Sequence, residues 1–307
     1  MVPLIDHAAA LYADLTDYVD QVGSFVRAGL QRDDAVLVAT DPLRLDALRD
    51  VLPDSAGITF VDITPVGVNP ARLMPLYQDF FDGAARAGRG VTGVGEPALP
   101  GRTTEEYSEI ARNEALVERA FAGGPTLNIL CPYDAGALPT AMLEAAVRTH
   151  PTVHGSSTRV GHEVMFDARL DLAQLDEPLP AAPRDARTVA FGDDYHLVRD
   201  VVHELCRDAR FDHDRTEDLV LAVHELATNT VRHGGTGGTL TAWTTPTAVE
   251  VEVVSGGRFT DPLVGRVRPD LVRETGRGLW LANQLCDLVQ VRNTPTGTAV
   301  RVRLRLP

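Results

Sequence analysis

"HELATNTVRHGG", residues 224–235, decides how the second half of this chain is read. Three chemistries can use a helix that opens on His-Glu, and each needs different partners at different spacings. A zinc-binding helix needs His-Glu-x-x-His, which puts two imidazoles at i and i+4 on one face. Here Thr228 stands four residues after His224, and His233 lies nine residues on, so the zinc spacing fails. A phosphoacceptor histidine usually has a proline one turn later, on a hairpin helix ahead of a separate nucleotide domain. No proline follows His224, and the same helix carries a polar pair that suits a third chemistry.

That pair is Glu225 and Asn229, at i and i+4 on one helical face. An Asn amide oxygen is a neutral, hard ligand suited to Mg²⁺. A Glu one turn earlier can accept the proton of a hydroxyl that attacks a γ-phosphate. His233-Gly234-Gly235 ends the helix. Further on, "ETGRGLWLANQL" (274–285) sets Gly276, Arg277 and Gly278 directly before a helix, where free backbone N–H groups can meet phosphate. Gly297-Thr298 enters the last strand.

Composition bounds the rest. The 307 residues are comfortable for two domains. A net charge of −14 argues against a nucleic-acid surface. Every basic side chain is Arg; with no Lys, a phosphate-loop lysine, a Schiff base and a Ser-Lys dyad are all excluded. Cys131, Cys206 and Cys286 are dispersed and read as reduced, buried thiols. The start lacks a signal-peptide pattern and no apolar run is long enough to span a membrane, so a cytoplasmic protein without membrane contact is expected.

The first half, residues 1–170, alternates. An opening helix over about 7–29 is expected, then "AVLVAT", helical "PLRLDALRDVL" and "ITFVDI". A helix over 71–88 precedes "GVTGVGE", and one over 103–122 precedes "TLNILCP"; "PTAMLEAAVRTH" follows. Short β-branched runs between amphipathic helices predict an α/β domain with a mostly parallel sheet covered on both faces, and no phosphate loop. Residues 171–187 carry three prolines without apolar periodicity and read as a linker. Residues 188–307 predict helices over 193–209 and 214–233, the second capped by Asp214. The strands "GTLTAWTT" and "AVEVEVV" follow, then helix "GLWLANQLCDLV" and strands "QVRNT" and "TAVRVRLRL". This is an α+β sandwich with helices on one face of a mixed sheet.

The second half resembles the GHKL ATPase (HATPase) fold, and within it the RsbW-type anti-sigma-factor serine kinases. Its N box is "ELATNTVRHGG", its second glycine box "GRGLWLANQL", and "TGT" the late threonine motif. The resemblance implies ATP and Mg²⁺ as cofactors, Glu225 as catalytic base and Asn229 as the Mg²⁺ ligand. It implies nucleotide contacts from Asn229, His233, Ser255, Gly257, Gly276, Arg277, Gly278 and Thr298. One departure stands out. The family's first glycine box carries an Asp at a strand end that accepts the adenine amino group, and here "VEVEVV" runs into Ser255-Gly256-Gly257. A hydrogen bond to a charged acceptor is worth about 1.5–3 kcal/mol, which the serine forgoes.

The first half resembles the MEDS sensory domain, a RecA/KaiC-related module without a phosphate loop, in "DHAAALY", "GEPALPGR", "NEALVERAF", "CPYD" and "HPTV". The resemblance implies sensing, often of the kind fused to an anti-sigma-type ATPase in actinobacteria. His7, Tyr12, Glu96, Arg102, Cys131, Tyr133, Asp134 and His150 are the candidate sensory residues, placed at strand ends or element starts, and a small molecule is the expected ligand. Open α/β sheets bind ligands outside the carboxyl ends of their strands, which suits Glu96 and Cys131 to Asp134. The whole implies a transcription regulator that holds a sigma factor and phosphorylates Ser or Thr on a STAS-type anti-anti-sigma protein, as a homodimer without nucleic-acid contact. Two alternatives stay open: a catalytically inactive scaffold that sequesters a partner without nucleotide, and a sensor histidine kinase.

Overall fold

A computed structural model describes residues 5–52, 57–161, 164–166, 178–234, 237–269 and 276–307, except the side chains of 233 and 234. The chain divides into two compact units, Met1–Leu175 and Asp176–Pro307.

The first unit runs β1 (Ile5–Tyr12), α1 (Leu15–Gln31), β2 (Ala35–Thr40), α2 (Pro42–Val51) and β3 (Ile58–Asp62). Two single-turn 3-10 segments lead to α3 (Leu73–Arg86), β4 (Val91–Gly95), α4 (Thr104–Glu114) and α5 (Val117–Ala120). β5 (Leu127–Asp134), α6 (Thr140–Thr149) and β6 (Thr152–His154) complete it. The strand order is β3-β2-β4-β5-β1-β6, and every pairing is parallel.

The expected opening helix over 7–29 is corrected by this sheet. Residues 5–12 form a strand between β5 and β6, and the helix starts at Leu15, where Asp14 accepts from the Asp17 amide at 3.0 Å. Alanine favours helix in isolation, but here the run is buried on both faces, as a central parallel strand must be. Alternate β1 residues feed two cores. Ala9 and Leu11 join Phe81, Ile110, Ile129 and Leu143 on the side of α3, α4 and α6. Ala8, Ala10 and Tyr12 join Tyr18, Val22, Val26 and Leu48 on the side of α1 and α2. Burying each Val and Leu is worth about 1.5–3 kcal/mol. The helix expected over 103–122 is capped by a reciprocal Thr103–Glu106 pair and then breaks into α4 and α5.

The second unit runs β7 (Arg187–Phe191), α7 (His196–Asp208), α8 (His213–Gly234), β8 (Gly238–Thr244) and β9 (Ala248–Ser255), then α9 (Arg277–Leu285), β10 (Leu288–Thr294) and β11 (Gly297–Arg305). The order is β10-β11-β9-β8-β7 and every pairing is antiparallel, so the expected mixed sheet is corrected. β7 was not expected; it follows the prolines directly and pairs with β8. The α8 cap is Asp212, which accepts from the Arg215 amide at 2.8 Å; Asp214 lies inside the first turn. α9 starts at Arg277, so Gly278 is helical, and it ends at Leu285 because Leu288 and Val289 join β10.

Val249, Val251 and Val253 of β9 face the α7 and α8 residues Val198, Val202, Leu219, Val223 and Leu226. The opposite face carries a cross-strand ladder. Arg301 pairs with Glu252 in register and Arg303 with Glu250, at 2.7 Å and 2.8 Å. Arg301 also donates to the Pro180 carbonyl at 2.6 Å, so part of the expected linker is fastened to this unit.

Candidate functional site

α8 is amphipathic, and its buried stripe (Leu219, Val223, Leu226, Ala227) holds it on the sheet. Glu225 and Asn229 therefore project toward the neighbouring α9. There they meet Gly278. A Cβ at that position would lie 2.4 Å from Asn229 Nδ2 and 3.0 Å from Glu225 Oε2. Only a residue without a side chain admits both polar groups. Gly276, the N-cap of α9, has φ +91°, a left-handed backbone that glycine adopts without strain. The first amides of a helix have no partner within the helix, so the start of α9 presents donors beside Asn229.

Next to them opens a cavity of ≈ 290 Å³, lined by Asn229, Ser255, Gly257, Phe259, Asp261 and Gly276 among others, with Leu226, Val253 and Leu279 as its apolar floor. Ser255 ends β9, in register with Gly238 on one side and Thr298 on the other. The loop wall is held from behind. Asn293 accepts from the Phe259 amide at 3.1 Å and donates to its carbonyl at 2.9 Å. Thr298 Oγ1 stands 2.8 Å from the Gly257 carbonyl oxygen.

The first unit holds two polar clusters on opposite faces of one sheet. At the carboxyl ends of the strands, Tyr12 and Thr40 donate to Glu96, each at 2.6 Å. Arg44 reaches Glu96 at 3.3 Å, Tyr12 at 2.9 Å and Asp134 at 3.5 Å. Burial pushes the Glu96 carboxyl up to about 7, against the opposing pull of Arg44, Thr40 and Tyr12. On the other face, His7, Glu114, Cys131 and His150 converge, all buried. Burial pushes Glu114 up, but the imidazoles of His150 and His7 outweigh it and bring the carboxyl down to about 2. Burial and the neighbouring Glu114 push the Cys131 thiol well up.

Family models match both units. The model of the MEDS domain, the methanogen/methylotroph, DcmR sensory domain, matches residues 6–151. That of the histidine kinase-like ATPase domain matches residues 191–304. The chain joins a MEDS domain to a histidine kinase-like ATPase domain. No curated protein matches the chain. No described helix is long and apolar enough to cross a membrane.

In the ATPase domain, Asn229, Ser255, Gly257 and Gly276 line the cavity, Glu225 and Gly278 border it, and Thr298 stands behind its wall. Arg277 is exposed, and the side chain of His233 lies outside the described residues. Residues 270–275, which precede the second glycine box, lie outside them as well. His224 packs edge-on against Tyr195, with ring centroids 5.3 Å apart. Phe259 and Asp261 escaped the sequence reading because no motif marks the loop that carries them. The residues fit Mg·ATP on the phosphate side, where Gly278 leaves a cradle that a Cβ would fill beside two oxygen-bearing side chains.

In the MEDS domain the expected sensory residues separate. Tyr12, Glu96 and Asp134 share the strand-end cluster with Arg44 and Thr40, which the sequence reading missed. His7, Cys131 and His150 share the other cluster with Glu114, also missed. His7 and Cys131 lie within strands rather than at their ends, because parallel register sets β1 and β5 side by side along their length. Tyr133 is buried edge-on against His150. Arg102 lies against Gly67.

Proposed function

We propose that this protein is a signalling regulator of the anti-sigma type, in which the MEDS domain governs an ATPase domain that binds Mg·ATP and phosphorylates Ser or Thr of an anti-anti-sigma partner. One observation carries the reading. Glu225 and Asn229 converge on the side-chain-free Gly278 at the rim of a cavity large enough for a nucleotide base. Asn229 would hold Mg²⁺ through its amide oxygen, with the α9 amides on the phosphates. Bound ATP supplies the phosphoryl group and, with Mg²⁺, the electrostatic stabilisation of its transfer. Glu225 takes the proton of the attacking hydroxyl, one helical turn from the metal ligand. With no Lys in the chain, transferred charge falls to Mg²⁺, backbone amides and Arg side chains.

Calorimetry and phosphotransfer test this together. The full chain should bind Mg·ATP and form an acid-stable phosphoester on a STAS-type partner. Glu225→Gln should keep binding and lose transfer, whereas Asn229→Ala should lose binding. Equal ATP affinity in wild type and the Asn229 variant would refute the metal assignment.

Ser255 favours a second reading. Without a carboxylate at the strand end, the domain would act as a nucleotide-free scaffold that sequesters its partner. Absence of ATP binding together with tight partner binding would establish that instead.

A further inference from the structure

The buried cluster of the MEDS domain has the form of a metal centre. His7 comes from β1, Glu114 from the end of α4, Cys131 from β5 and His150 from the C-cap of α6. One ligating atom from each lies within 4.8 Å of all the others. His7 Nε2 is 3.4 Å from Cys131 Sγ and 3.4 Å from Glu114 Oε2. Glu114 Oε2 is 3.3 Å from Cys131 Sγ and 3.4 Å from His150 Nε2. The N···O separations exceed the ordinary hydrogen-bond range of about 2.7–3.2 Å. They match the edges of a tetrahedron around Zn²⁺, about 3.3–3.6 Å for Zn–N and Zn–O near 2.0–2.1 Å and Zn–S near 2.3 Å.

We propose that His7, Glu114, Cys131 and His150 bind one divalent transition-metal ion, Zn²⁺ in the first instance, in a closed four-ligand site. The surroundings support it. The Nδ1 of His150 lies 2.8 Å from the Ala146 carbonyl oxygen, so Nδ1–H donates there and the Nε2 lone pair faces the cluster. His150 Nε2 is buried and, among the described residues, has no hydrogen-bond partner of its own. One carboxylate and one thiolate balance the two charges of the ion while both imidazoles bind neutral, so no net charge is buried. Binding transfers the Cys131 proton to solvent. A soft thiolate with two imidazoles selects Zn²⁺, Co²⁺ or Cu ions over Mg²⁺ and Ca²⁺, so this site is chemically separate from any Mg·ATP site. The ion would tie the neighbouring strands β1 and β5 to α4 and α6, making the fold of the sensory domain depend on metal supply.

The test uses the full chain, freed of metal by a chelator and then titrated with Co²⁺ and Zn²⁺. One Co²⁺ should bind per chain, with intense tetrahedral d–d bands and a thiolate-to-cobalt charge-transfer band in the near ultraviolet, and Zn²⁺ should displace it. Cys131→Ser should abolish the charge-transfer band and weaken binding by at least the roughly 10–100-fold that loss of an outer-shell partner costs. Cys206→Ser and Cys286→Ser should leave the spectrum unchanged. No binding at micromolar Co²⁺, binding without the charge-transfer band, or a band that survives Cys131→Ser would each overturn the proposal. Should Cys131→Ser fail to fold, the wild-type spectrum with the two control variants decides the question.

Discussion

Replacing Gly278 by Ala separates the proposed nucleotide site from the stability of the domain around it. Gly278 has ordinary helical backbone, so Ala gains about 1 kcal/mol of helix propensity. Its Cβ would approach Asn229 Nδ2 to 2.4 Å, Glu225 Oε2 to 3.0 Å and Glu225 Cβ to 3.2 Å. The tightest of these neighbours is the free end of a side chain, which can rotate away. Overpacking costs about 1–3 kcal/mol, and the propensity gain offsets part of it. The melting temperature should therefore fall only slightly. Binding should suffer more, because an Asn229 amide turned away forgoes a bond to a charged group worth about 1.5–3 kcal/mol. That is about 10- to 150-fold in the Kd for Mg·ATP. Calorimetric titration of the full chain measures the affinity and scanning calorimetry the stability. Gly192→Ala, at a position with nothing within 4 Å, is the control. A folded Gly278→Ala variant that binds ATP as tightly as wild type would refute the convergence of Glu225, Asn229 and Gly278 on the nucleotide.

Ser255→Asp should raise ATP affinity about tenfold or more by restoring a charged acceptor at the strand end, with little gain for GTP; equal gains for both would show that the serine does not face the base. Glu96, whose folded carboxyl is raised from 4.5 to about 7, contributes up to roughly 3 kcal/mol that is fully present below pH 4.5 and lost as pH rises through 7. The MEDS-domain melting temperature should fall between pH 5 and 8 in wild type and stay flat in Glu96→Gln, and a flat wild-type profile would contradict the assignment. Arg301→Ala should destabilise the ATPase domain by about 3 kcal/mol in urea unfolding, the low end for a broken buried pair because the orphaned Glu252 side chain keeps 17% of its exposure to solvent. An effect near zero would mean that the ladder is energetically idle.

Residue patterns revealed most of the architecture where local chemistry and tertiary role agree. The α8 stripe and the β9 alternation repeat at the periods their packing requires, so both were legible. β1 was not, because an alanine-rich strand buried on both faces has the composition of a helix. β7 was hidden by the prolines before it and by its short, exposed pattern. In the proposed nucleotide site, spacing along one helix exposed Glu225 and Asn229, and the glycines after them marked the facing helix. Glu114 and Arg44 had no such signal. Each lies among other charged helix residues, and only the parallel topology carries Glu114 to His7, Cys131 and His150, or Arg44 to Tyr12, Glu96 and Asp134.

β7 has a place in the chain that no other strand shares. It is the first element after the proline-bearing segment, β8 is its one partner among the described strands, and of its five residues only Phe191 is buried. Four strands and the full apolar face of β9 remain if it detaches. Its amides should thus exchange with solvent through local opening, at a free energy well below that of global unfolding. Tension or torsion arriving along the segment before it would load the Pro180–Arg301 bond to β11 and then this strand. The ATPase sheet is thereby built with a removable border, which can peel and reseal while β9, α8 and α9, which line the cavity, stay packed together.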